Sequence, residues 1–172
     1  MTTSTTRIND VNLEAVGSLV EAIRSEPATA DTVWKATVEW KGGFRSEAQV
    51  RGFGPVPSDE PFSLGGEDTA PNPVEQVLAA LGNCLAVGYA ANASAAGIEL
   101  NGLRIDLEGD LDLHTFLGLA DDNAGYEEIE VKVSIDSNAS ASQLEELHHK
   151  VVSTSPVGHT LQRPIPVNVL LA

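Results

Sequence analysis

The one cysteine in the chain, Cys84, is the side chain with the widest chemical reach. As a thiolate it attacks electrophilic oxygen, sulfur or carbon, and oxidation takes it first to a sulfenic acid. A solitary thiol closes no disulfide within its own chain, which suits a reducing compartment and leaves an oxidised Cys84 in need of an outside partner. The alternative is an inert small residue of a core. Reactivity requires access and a neighbouring positive charge that favours the thiolate. Cys84 falls about twelve residues into the helix inferred below, beyond the first turn over which a helix dipole acts, so that charge must come from elsewhere. The other concentration of polar groups, Asp121-Asp122-Asn123, lacks the ligand spacing of a calcium loop and reads as a turn. No metal or cofactor is expected.

The element that must position Cys84 starts at Asn72, an N-cap, with Pro73 at the first helical position and Glu75 at the third. The helix is expected to run from about Pro73 to Ala96. Its body is apolar on nearly every side, so it has to be enclosed all round. Gln76, Asn83 and Asn92 interrupt the run, and much of its apolar content is Ala and Gly; this speaks for a core helix approached closely by other backbones rather than a membrane span. One small sheet covers one side of such a helix, and a second subunit is the simplest cover for the other.

Around it the periodicity alternates between helix and strand. Leu13, Val16, Val20 and Ile23 mark an N-terminal covering helix within residues 1–31, ended by Pro27, ahead of a single domain over residues 32–172. Alternation from Trp34 to Trp40, the Gly42-Gly43 turn and Phe44, Ala48 and Val50 predict a β-hairpin, with Arg45, Glu47, Gln49 and Arg51 on its polar face. Residues 54–71 read as a loop. Two half-buried strands follow, one through Leu103, Ile105 and Leu107, the other through Ile129, Val131, Val133 and Ile135. Ser140 with Gln143, or Ser142 with Glu145, caps a further helix that Pro156 is expected to stop, and Ile165, Val167, Val169 and Leu171 predict a final strand. The order is that of an α+β fold. A formal charge of −15, from 10 Lys and Arg against 25 Asp and Glu, would repel nucleic acid and anionic lipid. The first thirty residues show no signal-peptide pattern, and a cytoplasmic protein is expected.

The run NPVEQVLAALGNCLA, then EGDLDL, EIEVKVSIDS and SPVGHTLQRPIPV, together with Asp59, Glu60, Pro61, Gly65 and Gly66, resembles the OsmC/Ohr superfamily over roughly residues 32–172, in its general OsmC-like branch. The resemblance implies an intertwined homodimer whose two long central helices are enclosed by antiparallel sheets from both chains. It also implies thiol-dependent, peroxiredoxin-like reduction of organic hydroperoxides in oxidative-stress defence, with Cys84 as the attacking cysteine. The position of the usual resolving cysteine holds Ser155. Val74 stands where a glutamate is usual, with Glu75 one position later, and an ungapped count places Leu64 at the usual arginine, leaving Arg45 or Arg51 as candidates from the hairpin. His159, four residues after Ser155, would face the same cavity if the turn continues helically, and its imidazolium would favour a thiolate. Two functions remain open. One is a one-cysteine peroxidase served by an external thiol reductant; the other is a module that binds or acts on a hydrophobic small molecule in the dimer-interface pocket, with Cys84 as a contact.

Overall fold

The three-and-four spacing of its apolar residues gives α1 (Leu13–Ser25) in the computed structural model, which describes residues Arg7–Leu171. None of its residues is buried. Contacts divide the chain into one unit over Glu14–Val77 and another combining residues up to Leu13 with those from Leu78 onward.

In the first unit, Gly42 (φ +100°) and Gly43 (φ +59°) take the left-handed conformations of a tight turn and join β1 (Thr37–Gly42) to β2 (Arg45–Gln49). The hairpin pairs antiparallel with Val38 opposite Ala48 and Trp40 opposite Ser46; the ladder begins at Thr37, so Trp34 and Ala36 stand outside it. Residues 54–71 are not all loop. β3 (Val56–Ser58) adds a third strand on β2, with Ala48 opposite Val56, and Phe62–Leu64 form a 3-10 turn. The segment that follows is organised by a buried carboxylate. Asp59, 1% exposed, accepts hydrogen bonds from the Thr69 hydroxyl and from the backbone N–H groups of Glu60, Glu67 and Thr69. Burial by itself would raise its pKa; the hydroxyl and the three amides outweigh that and hold it below the ordinary carboxylate value. Gly66 lies against the Glu60 carbonyl so closely that a Cβ would sit 1.8 Å from its oxygen.

α2 (Pro73–Ala95) starts as its first residues dictate: Asn72 Oδ1 accepts the Glu75 N–H at 2.9 Å while the Glu75 carboxylate accepts the Asn72 N–H at 2.8 Å. From Leu78 on it belongs to the second unit, whose other elements are β4 (Leu100–Leu111), α3 (Leu113–Phe116), β5 (Tyr126–Ser137), α4 (Ala141–Val152) and α5 (Pro156–Leu161). β4 and β5 pair antiparallel along their whole length, Leu103 opposite Ile135 and Ile105 opposite Val133, so their apolar positions share one face. That face packs on a core of Leu81, Leu85, Tyr89 and Ala93 from α2, Leu147 and Val151 from α4, and Ile98. Two glycines let the helix close on its neighbours: a Cβ at Gly82 would meet Leu107 Cδ1 at 2.9 Å, and one at Gly88 would meet Val151 Cγ1 at 2.9 Å. Tyr89 is fully buried and its hydroxyl bonds to His148 Nδ1; burial pushes its pKa up.

By length and composition α2 could cross a bilayer. Only one stripe of it is buried within the chain, and Val87 on another is 70% exposed. The segment ahead of α1 is tied to the far end of α2. Asn9, in a left-handed conformation (φ 53°), donates to Ser94 Oγ and to the Ile98 carbonyl and accepts the Leu100 N–H, while Ser94 Oγ donates to the Ile8 carbonyl.

Two further expectations are corrected. Ser140 and Gln143 form the capping box of α4 as expected, but α4 ends at Val152 and Pro156 opens α5 instead of stopping a helix, since a residue with fixed φ and no N–H fits the first helical position. The stretch from Pro164 to Leu171 carries its alternating apolar residues without pairing as a strand, and Val167 is 76% exposed. Pro164 and Pro166 offer no N–H to a ladder, and no strand of the described chain pairs with the segment.

Candidate functional site

Cys84 lies at the middle of α2 and is half-buried. What it meets is built by the link between α4 and α5. Ser153 and Thr154 turn their hydroxyls back onto the Lys150 carbonyl, closing α4, and the chain extends at Ser155 (φ −71°, ψ 114°). Ser155 is then the N-cap of α5: its Oγ accepts the Gly158 N–H at 3.1 Å, and its carbonyl accepts the His159 N–H at 2.9 Å. This fixes the Ser155 side chain, 5% exposed, with Oγ 3.3 Å from Cys84 Sγ. Among the described residues no other hydrogen bond reaches the sulfur. Gly158 is buried, and a Cβ there would lie 3.1 Å from Ser155 Oγ, so the close pairing depends on its missing side chain.

Of the candidates named from sequence, Cys84 and Ser155 therefore come together. His159 does not join them. The turn does continue helically, but Ser155, as N-cap, stands outside the helical conformation, and the one-face alignment of i and i+4 does not hold; His159 is exposed. The other candidates belong to the Glu14–Val77 unit and are engaged within it. The carboxylate of Glu75 closes the α2 capping box. Arg45 forms an ion pair with Glu67, and Arg51 (φ +51°) holds its guanidinium 4.6 Å from the centre of the Phe53 ring. Gly158 was not singled out from the sequence; the run Ser-Pro-x-Gly, an N-cap serine followed by proline and a backbone donor at the third helical position, is the signal that would have marked it.

On another side of the same helix an open groove runs between α2 and β4, lined by Ala79, Gly82, Asn83, Ala86, Leu103, Ile105 and Leu107. Chemically, the arrangement offers one half-buried thiol with a hydroxyl held against it. A sulfenic acid formed at Cys84 would meet an alcohol at Ser155, which closes no disulfide.

A long helix against a two-stranded antiparallel sheet, with its cysteine facing the α4–α5 link, defines an α+β thiol protein of the OsmC type. The family model described as OsmC-like protein matches residues 65–170, and the chain belongs to that family. Among solved structures it is similar to an OsmC-like protein from Mycoplasma pneumoniae, at 22% identity over 77% of this chain and 89% of that one, with a TM-score of 0.66. It is also similar to an organic hydroperoxide resistance protein OsmC from Legionella pneumophila (19% identity, 77% and 92% covered, TM-score 0.56). A third is an organic hydroperoxide resistance protein from Elizabethkingia anophelis, solved with thiocyanate bound (16% identity, 77% and 91% covered, TM-score 0.57). Comparison with curated protein sequences finds no match.

Proposed function

We propose that this OsmC-like chain is a cytoplasmic, homodimeric one-cysteine peroxidase that reduces organic hydroperoxides in oxidative-stress defence. The observation that carries the reading is the pairing of Cys84 with Ser155 at 3.3 Å, which puts the residue at the usual resolving position against the attacking sulfur and makes it an alcohol. Membership of the family and the names of the Legionella and Elizabethkingia proteins support the substrate class. The Cys84 thiolate attacks one peroxide oxygen; the S–O bond forms as the O–O bond breaks, and the leaving alkoxide takes a proton to become an alcohol. An external small thiol or dithiol then displaces water from the sulfenic acid to give a mixed disulfide, and a second thiol equivalent releases Cys84. The unburied side of α2 supports the dimer, because a helix apolar on nearly every side needs cover on more than the one stripe its own chain provides.

The test is the rate of sulfenic acid formation at Cys84 in reduced protein, with cumene hydroperoxide against hydrogen peroxide. Fast oxidation that prefers the organic peroxide, is reversed by dithiol and is abolished in Cys84→Ser supports the reading. A rate no better than that of a free thiol refutes it. The groove between α2 and β4 favours a second reading, a module that binds a hydrophobic small molecule; binding that survives Cys84→Ser, in the absence of peroxide consumption, would support it.

A further inference from the structure

The hydrogen bond between Cys84 and Ser155 has two possible polarities, and the surroundings of Ser155 select one. Its Oγ already accepts the Gly158 N–H at 3.1 Å, in the geometry of an N-cap, and the residue is 5% exposed. A serine hydroxyl carries a single hydrogen and two lone pairs. With a lone pair taken by Gly158 and water largely excluded, the hydrogen is left to point at the neighbouring acceptor, and Cys84 Sγ lies 3.3 Å away. We infer that Ser155 is a positioning residue that donates its hydroxyl hydrogen to the Cys84 sulfur and so favours the thiolate.

A donor bonds more strongly to S⁻ than to S–H, so holding the hydrogen there stabilises the charged form. Ser155 is a neutral donor and not a cation, and among the described residues it is the one hydrogen-bond partner the sulfur has, while His159 is exposed and the Glu75 carboxylate is held in the helix cap. In this chain the residue at the resolving position serves the first half of the reaction instead of the second. Gly158 then acts through Ser155, by turning the hydroxyl. The inference rests on the peroxidase reading for its purpose but on geometry alone for its content.

The test measures alkylation of Cys84 by iodoacetamide across pH in the full chain, where one cysteine gives one profile. Ser155→Ala is expected to slow alkylation at neutral pH by about tenfold, and Ser155→Thr, which keeps the hydroxyl, should restore the rate to within about twofold of the parent. An unchanged or faster rate in Ser155→Ala overturns the inference. Because that variant also loses the α5 cap, a second measurement uses the unaltered protein: the Raman S–H stretch of reduced Cys84. A band at the frequency of a non-donating thiol is expected, and a band shifted down to that of a donating S–H overturns the assignment. Neither experiment uses peroxide. A chain that consumes no peroxide but shows the slower alkylation in Ser155→Ala loses the proposed function and keeps this inference, and the converse result separates them the other way.

Discussion

The contact between Gly88 and Val151 sets up a double-mutant cycle whose outcome follows from distances. Val151 is 1% exposed, and its Cγ1 lies 2.9 Å from where a Cβ on Gly88 would stand. Val151→Ala removes two methyl groups from the core, a transfer loss of about 1.6 kcal/mol that an unclosed gap raises to roughly 2–3 kcal/mol. Gly88→Ala gains about 0.8–1.0 kcal/mol in helix propensity but overpacks against a stiff β-branched side chain at a cost of about 1–3 kcal/mol, leaving it between neutral and about 2 kcal/mol destabilising. In the double variant the obstructing Cγ1 is gone, and the new methyl sits 3.8 Å from the position of the residue 151 Cβ, an ordinary contact that fills part of the gap. The pair should therefore be more stable than the sum of the single changes by about 1–3 kcal/mol. Equilibrium urea unfolding at fixed protein concentration measures it. Additivity within about 0.5 kcal/mol would refute the close packing of α2 on α4 as the reason for glycine at position 88.

Two further predictions concern the loop and the site. Asp59 has its folded pKa held below the ordinary value of 3.8, so its contribution is fully present above that value and is lost as pH falls through it toward the folded pKa. Asp59→Asn, which puts an NH2 donor against either the Glu60 N–H or the Glu67 and Thr69 N–H groups, should lower the melting temperature near neutral pH and flatten its decline below pH 3.8; an unchanged decline would show that the titration lies elsewhere. Ser155→Cys should convert the chain to a two-cysteine system, in which one equivalent of organic hydroperoxide yields its alcohol, water and an internal disulfide between Cys84 and the introduced thiol. Mass spectrometry finding only a stable sulfenic acid or mixed disulfide at Cys84 would show that residue 155 cannot reach the oxidised sulfur.

Local signals in the sequence were enough for α2, α4 and the hairpin, because Asn72 with Glu75, Ser140 with Gln143, and Gly42-Gly43 act over three or four residues. The parity of β4 and β5 was legible for the same reason. β3 was not: a three-residue strand containing Pro57 has no periodicity of its own and is defined only by its pairing with β2. Pro156 misled because a proline ends one helix and begins the next by the same property, and only the turn at Ser153 and Thr154 decides which. The terminal alternation from Ile165 is real, but a strand also needs a neighbour, which no pattern within the segment supplies. At the site, 71 residues separate Cys84 from Ser155, and no spacing rule joins them. The family resemblance picked out Ser155; the cap geometry then explains why His159, at an apparently favourable spacing, is turned away.

The tie between Asn9 and the end of α2 bears on how the polypeptide is made. Asn9 bonds to partners 85, 89 and 91 residues away, so these contacts close only after residue 100 has been synthesised. In topological terms the Glu14–Val77 unit is an insertion within the other. Loop-closure entropy grows only with the logarithm of loop length, and an insertion that folds first during translation shortens the effective loop further. Asn9 thus docks late, by non-local contacts of the kind that slow folding. A polypeptide begun downstream of Asn9 would lack the group that joins Ser94, Ile98 and Leu100, and should show its first loss of hydrogen-exchange protection at those residues.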